Sequence, residues 1–320
     1  MTHALTRRAL GGAALATFAI GNARAAGPEE IRVDWATYNP VSLILKDQGL
    51  LEKAFAADGI KIRWVFSAGS NKALEFLNAS SLDFGSTAGA AALIAKVNGN
   101  PLKSIYVYSR PEWTALVTGK DSPIKTVADL KGQRVAVTRG TDPHIFLVRA
   151  LAGAGLSEKD IKLVLLQHAD GRTALERGDV NAWAGLDPLM AASEVESGAR
   201  LFFRKPEANT WGVLNVREEF AKANPALVKR VLAVYEDARK WCLAHPAELK
   251  ASMMAATKLS DAVISKQLER TDISSGKIGP VQAGTIIEAG KALQAAGVLD
   301  EKLDMTAITN GMIDASYLPA

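Results

Sequence analysis

Two short polar turns in this chain carry residue types that can hold an anion without reacting with it. The first is Gly140-Thr141-Asp142-Pro143, set between the strand-like run RVAV and a segment with Ile145, Val148 and Leu151 at helical spacing. Gly140 permits the tight turn, Thr141 and Asp142 are N-cap types, and Pro143 suits the first helical position, where a missing N–H costs nothing. The first turn of such a helix presents free backbone N–H groups and the positive end of the helix dipole to a small anion. A helix that simply caps itself is the competing reading. The second turn is Ser86-Thr87-Ala88, between SLDFG and the helical AGAAALIAKV. Its two hydroxyls and the Ala88 N–H could share one ligand oxygen, with ordinary capping again the alternative. The string Gly85-Ser86-Thr87-Ala88-Gly89 is a poor nucleophile elbow, because Thr stands where the nucleophile should be. Of the four histidines only His144 lies near a proposed site, and no Cys/His spacing suits a metal.

The elements that must position these turns follow βαβ grammar. IRVDWAT (residues 31 to 37) reads as a strand, residues 42 to 57 as a helix and IKIRWVF as a second strand, and the pattern returns after Lys131. This predicts α/β architecture with largely parallel sheets covered by helices. Open α/β sheets bind ligands beyond the carboxyl ends of their strands. Those ends carry Tyr38-Asn39, Gly69-Ser70, Ser86-Thr87-Ala88, Gly140-Thr141-Asp142 and Gly185-Leu186-Asp187. Trp183 and Trp211 fall near strand ends too, where each could wall an apolar part of a ligand or fill the core. A local echo points to two similar lobes: Leu77, Leu82, Asp83 and Gly85-Ser86 repeat the spacing of Leu175, Val180, Asn181 and Trp183-Ala184. Crossings between lobes fit residues 111 to 114 and 209 to 214, where Pro, Trp and Gly interrupt the pattern. From about Arg217 the chain is helical and is expected to pack mainly on the first lobe.

Composition narrows the classes. The 320 residues suffice for two cores, and 48% hydrophobic with 22% charged residues is ordinary for a soluble globular protein. Residues 1 to 25 read as an export leader: a basic start at Arg7-Arg8, an apolar stretch from Ala9 to Ile20, and Ala23-Arg24-Ala25 as a cleavage pattern. The Arg7-Arg8 pair resembles a twin-arginine signal, with a Sec route the alternative. Without the leader the chain carries 35 basic against 34 acidic residues, which leaves no footprint for nucleic acid. Cys242 is the only cysteine, so no intramolecular disulfide can form, and it lies far from any lipid-anchor position.

The strings LKDQGLLEK (residues 45 to 53), FLNASSLDFGST (76 to 87), SPIKTVADLKG (122 to 132) and ALERGDVNAWAGLDP (174 to 188) together resemble the periplasmic substrate-binding proteins of alkanesulfonate and taurine ABC importers, within the nitrate/sulfonate/taurine binding-protein family. The resemblance extends to about residue 215. It implies a two-lobed, type II venus-flytrap fold, with residues 26–112 and 214–320 as one lobe and 113–213 as the other. It implies a monomer, free in the periplasm, that hands a small organic sulfonate to a membrane permease and uses no cofactor. Tyr38, Asn39, Gly69, Ser70, Ser86, Thr87, Ala88, Gly140, Thr141, Asp142, His144, Trp183, Gly185, Asp187 and Trp211 are the candidate ligand contacts. Two departures stand out. Relatives tend to carry serine where this chain has Asp142, so that carboxylate either caps its own helix or meets a cationic end of the ligand, as in taurine. Relatives also have Trp just before Asp187, where this chain has Gly185-Leu186, implying a reshaped pocket. Similar proteins serve nitrate, bicarbonate, aromatic acids and thiamine-pyrimidine precursors. Thiamine-pyrimidine synthases share the architecture but rely on a cysteine-rich motif that one cysteine cannot supply.

Overall fold

Strand and helix alternate through most of the chain, and the computed structural model, which describes residues 27 to 318, sorts the strands into two separate sheets. The proposed leader lies outside the described residues. The chain runs through β1 (Glu30–Trp35), α1 (Pro40–Asp47), α2 (Leu50–Phe55), β2 (Lys61–Phe66), α3 (Ser70–Asn78), β3 (Phe84–Ala88), α4 (Gly89–Val97) and β4 (Leu102–Pro111). It then crosses to β5 (Leu116–Thr118), β6 (Arg134–Val137), α5 (Asp142–Gly153), β7 (Lys162–Leu165), α6 (His168–Arg177), β8 (Ala182–Ala184), α7 (Leu189–Ser197) and β9 (Arg200–Phe203). It returns through β10 (Gly212–Arg217), α8 (Glu218–Ala223), α9 (Pro225–Ala244), α10 (Pro246–Thr257), α11 (Asp261–Glu269), β11 (Thr271–Asp272), α12 (Pro280–Ala295) and α13 (Met305–Met312).

The first sheet has the order β11-β4-β10-β3-β1-β2 and the second β7-β6-β8-β5-β9. Each contains a parallel trio, β2-β1-β3 or β7-β6-β8, flanked by an antiparallel strand that has just arrived from the other sheet, β10 or β5. Parallel pairing requires a crossover, and α3 and α6 form part of the equivalent connections. The sequence echo marks this equivalence. Asp83 accepts the Arg32 amide at 2.9 Å and Asn181 accepts the Arg134 amide at 3.0 Å, each tying the approach to the third strand to the start of the first.

Sidedness follows the pattern in the residues. The central strands β3, β8 and β10 are buried almost throughout, whereas β2 and β7 sit at sheet edges and are partly exposed. Ile31, Val33, Phe84 and Leu214 anchor the core of the first sheet; Val135, Val137, Phe146 and Leu147 anchor that of the second. The C-terminal helices cover the first sheet, as expected, with α9 on α1 and α2, and α12 on α4. They also do something the helical spacing alone did not reveal: α11 packs on α7 and α12 on α5, both of which belong to the second sheet.

Candidate ligand-binding site

The carboxyl ends of the two parallel trios face one another across a seam. Tyr38, Ser70, Trp113, Thr141, Asp142, Pro143 and Leu186 enclose a space there of about 10 Å³, room for roughly one water. The seam is therefore shut, and admitting an organic ligand requires the two sheets to separate. Three helix N-termini meet at it. Helix α3 begins at Ser70 after an extended Gly69, α5 follows Gly140 (φ +77°) and the N-cap Thr141, and α6 begins at His168. The left-handed conformation at Gly140 is the reason that turn needs glycine.

The donors are uncharged. Ser70 Oγ accepts the Ala88 amide at 3.0 Å, so its own O–H remains free to donate. Thr141 gives its hydroxyl proton to the Thr138 carbonyl at 2.6 Å, so what it offers a ligand is its backbone N–H. On the apolar side Tyr38 and Trp113 meet edge to face, with ring centroids 6.0 Å apart, and Leu186 completes the wall. Leu186 belongs to a strand-end turn that the sequence pointed to, whereas Trp113 is a seam residue that sequence reasoning did not single out as ligand-facing. Trp113 sits in the first crossing, whose identity as a crossing was the available signal.

Asp142 corrects the sequence-based reading. Thr141 occupies the cap position and Asp142 is the first helical residue. Its carboxylate turns to neither its helix nor an open ligand space. It accepts Trp113 Nε1 at 2.8 Å, the Thr210 amide at 3.0 Å and the Thr210 hydroxyl at 2.7 Å. One buried side chain of the second sheet thus clasps both crossings. Burial pushes its carboxyl above the usual range, and these hydrogen bonds oppose that push.

Ser86, Thr87 and Ala88 end β3, and their polar groups are engaged within the protein. Ser86 donates through Oγ to Asp34 at 2.8 Å and accepts Asn39 Nδ2 at 2.8 Å, while Tyr38 donates to its carbonyl at 3.0 Å. Thr87 Oγ1 accepts Asn215 Nδ2 at 2.8 Å. The α4 terminus is spoken for as well: Gly89 donates to the Trp211 carbonyl at 2.9 Å and Ala90 to Thr210 Oγ1 at 3.2 Å. These groups fasten the second crossing to the first sheet and complete a buried network around Asp34, whose carboxyl burial raises to about 6.

The other candidates divide similarly. Asn39 caps α1 by accepting the Ser42 amide at 3.2 Å. His144 points away from the seam and meets Glu158 at 2.9 Å. Trp183 is fully buried against Gly171 in the core of the second sheet, and Gly185 is closely packed by Val117 and Met190. Trp211 packs on the rim of the first core under the Arg110 guanidinium, 5.3 Å from the ring centroid. Asp187 accepts the Ala191 amide and Arg270, each at 2.9 Å; Arg270 also reaches Glu194 at 2.7 Å. Since Arg270 closes α11, this is a buried ion-pair cluster between the two halves of the molecule. Burial still raises the Asp187 carboxyl to about 7 against the opposing pull of Arg270. Tyr38, Gly69, Ser70, Gly140, Thr141 and Asp142 are the predicted residues that lie at the seam.

Two sheets of this order, joined by two crossings with their strand ends opposed, define the periplasmic binding-protein fold. The family described as NMT1/THI5 like matches residues 54–249, and the chain belongs to it. A protein of Escherichia coli (strain K12) named for aliphatic sulfonate binding is 34% identical over 226 residues, 70% of either chain. The alkanesulfonate-binding protein of Xanthomonas axonopodis pv. citri, solved with MOPS bound, superposes with a TM-score of 0.81 at 26% identity, covering 91% of this chain and 99% of that one. The periplasmic aliphatic sulphonate binding protein of Escherichia coli gives a TM-score of 0.74 at 29% identity, covering 87% of this chain and 91% of that one.

Proposed function

We propose that this protein captures an organic sulfonate between its two lobes and delivers it to the permease of an ABC importer. The observation that carries the reading is the seam itself: helix N-termini and uncharged donors on one side, and the Tyr38, Trp113 and Leu186 wall on the other. A sulfonate is a weakly basic anion with three oxygens, which neutral dipoles can hold without a fixed cation and release when the lobes part. A bare inorganic anion would make no use of the apolar wall. The names of the similar proteins support the same ligand class.

The lobes are residues 26–112 with 214–320, and 113–213, moving about the crossings that Asp142 clasps. Closure buries the ligand, and the closed form is what a permease distinguishes from the open one. In this reading the leader at residues 1 to 25 directs export to the periplasm, and the protein works there unanchored and as a monomer, as the resemblance implies. No helix among the described residues is long and apolar enough to cross a membrane. The test is isothermal titration with ethanesulfonate, hexanesulfonate, taurine, sulfate, nitrate and a hydroxymethylpyrimidine. One-to-one binding of a sulfonate at micromolar Kd, about −8 kcal/mol, supports the reading. Heat from nitrate or the pyrimidine alone overturns it.

A further inference from the structure

Helix α6 is the counterpart in the second sheet of α3 in the first, and the two N-termini oppose each other: Gly69-Ser70 on one side, Gln167-His168 on the other. The contact is close. A Cβ built on Gly69 would stand 3.0 Å from His168 Nε2 and 2.8 Å from Asn71 Oδ1. His168 is 3% exposed, yet neither ring nitrogen has a hydrogen-bond partner among the described residues, and the side-chain oxygens of Asn71 and Gln167 are likewise without one. A buried imidazole that pairs with nothing forfeits hydrogen bonds that water would supply. Such a group at the meeting point of two helix N-termini is placed for a partner that arrives with the ligand.

We propose that His168 donates a ring N–H to the bound oxyanion, facing the Ser70 hydroxyl across it, so that each lobe contributes one side-chain donor and the anion bridges them. This rests on the oxyanion reading of the seam but not on the sulfonate being the natural ligand. Burial lowers the imidazole pKa to about 3, so the ring is neutral near pH 7 and donates from one nitrogen. Gly69 is what lets the ring approach, because any side chain there would collide with it.

The experiment titrates wild type, His168→Phe and His168→Gln with ethanesulfonate, sulfate and nitrate. Phe keeps the ring volume without a donor; Gln restores an N–H near the Nε2 position. The expected result is at least a tenfold weaker Kd for His168→Phe and recovery to within about threefold for His168→Gln. An affinity of His168→Phe within twofold of wild type overturns the proposal, as does a Gln variant no better than Phe. If sulfate or nitrate binds in place of the sulfonate, the functional reading fails and the same comparison on that anion decides the role of His168. If only hexanesulfonate or taurine binds wild type, the same comparison is made on that sulfonate; if no sulfonate, sulfate or nitrate binds, both fall. Should the variants not fold, the wild-type ring ¹⁵N resonances decide: Nε2 moves on saturation with the anion, and a static resonance refutes the contact.

Discussion

Replacing Asp142 by Ala separates the clasp from a ligand contact. The substitution removes three hydrogen bonds, at 2.7, 2.8 and 3.0 Å, and leaves two buried donors, Trp113 Nε1 and the Thr210 amide, without an acceptor. Each stranded donor costs about 1–3 kcal/mol, hence about 2–6 kcal/mol together. Relief of the buried carboxylate offsets part of this, so the expected loss is in the lower half of that range, about 2–4 kcal/mol. The Thr210 hydroxyl adds little, since it can rotate to another acceptor. Asp142→Asn keeps one acceptor oxygen and should lose about half as much. Urea denaturation followed by circular dichroism reads the difference as a lower midpoint with unchanged slope. A loss below about 0.5 kcal/mol, the size of an ordinary surface change, refutes the clasp. Ligand selectivity gives a second, independent reading. If the carboxylate met the amine of taurine, Asp142→Asn would weaken taurine far more than ethanesulfonate. The clasp predicts the same factor for both, and a taurine-specific loss of tenfold or more contradicts it.

Other outcomes follow from the same geometry. Trp113→Ala should weaken hexanesulfonate more than ethanesulfonate in isothermal titration, because the lost wall contacts the tail; equal losses would place the tail elsewhere. Ser86→Ala should lower stability by about 1–3 kcal/mol through the orphaned Asp34 network while changing ethanesulfonate Kd less than threefold, and a large affinity loss at unchanged stability would restore Ser86 as a ligand contact. Arg270→Met leaves the buried Asp187 without its cation, while the partly buried Glu194 keeps Lys266 at 3.7 Å; it should cost about 3–5 kcal/mol and increase the radius of gyration in small-angle scattering, and an unchanged radius argues against an ion-pair cluster that holds the lobes together. Protonation supplies the last test. Burial holds His168 near 3, below its unfolded value of about 6.5, so its neutral ring is fully tolerated above that value and stability is lost as pH falls from about 6.5 toward 3. From pH 7 to 5 the stability of wild type relative to His168→Phe should drop by about 2 kcal/mol, read from urea midpoints at both pH values. Asp34 and Asp187, raised to about 6 and 7, shift stability in the opposite sense over this range in both proteins, so only the difference reports the imidazole.

The α/β alternation, the two crossings and the Gly140 turn were legible because they rest on local signals: a strand period, a Pro-Trp interruption, a glycine followed by cap types and proline. The echo between residues 77–86 and 175–184 was legible for the same reason, and it marks elements of like role in the two sheets. What a polar side chain does once placed was not legible. Asp142 has the composition of a cap, but its partners lie 29 and 68 residues away in sequence, and nothing near position 142 announces them. Ser86 and Thr87 read as ligand donors because they end a strand; Asn39, Asp34 and Asn215, brought in by other strands and turns, engage them first. Trp183 could read as ligand wall or core, and it fills the core beneath α6; His168, which no local signal singled out, starts that helix and reaches the seam. Only the pairing of β6 with β7 and β8, which sets where α6 begins, distinguishes them.

A crystal structure grown with ethanesulfonate tests the central claim most directly. The account places the sulfonate between the α3 terminus at Ser70 and the α5 terminus at Thr141, within hydrogen-bonding distance of both, with its carbon chain against Tyr38, Trp113 and Leu186. A sulfonate bound instead in the groove of about 680 Å³ bordered by Phe146, Arg149, Phe202 and Lys205, with the seam still closed, would contradict it.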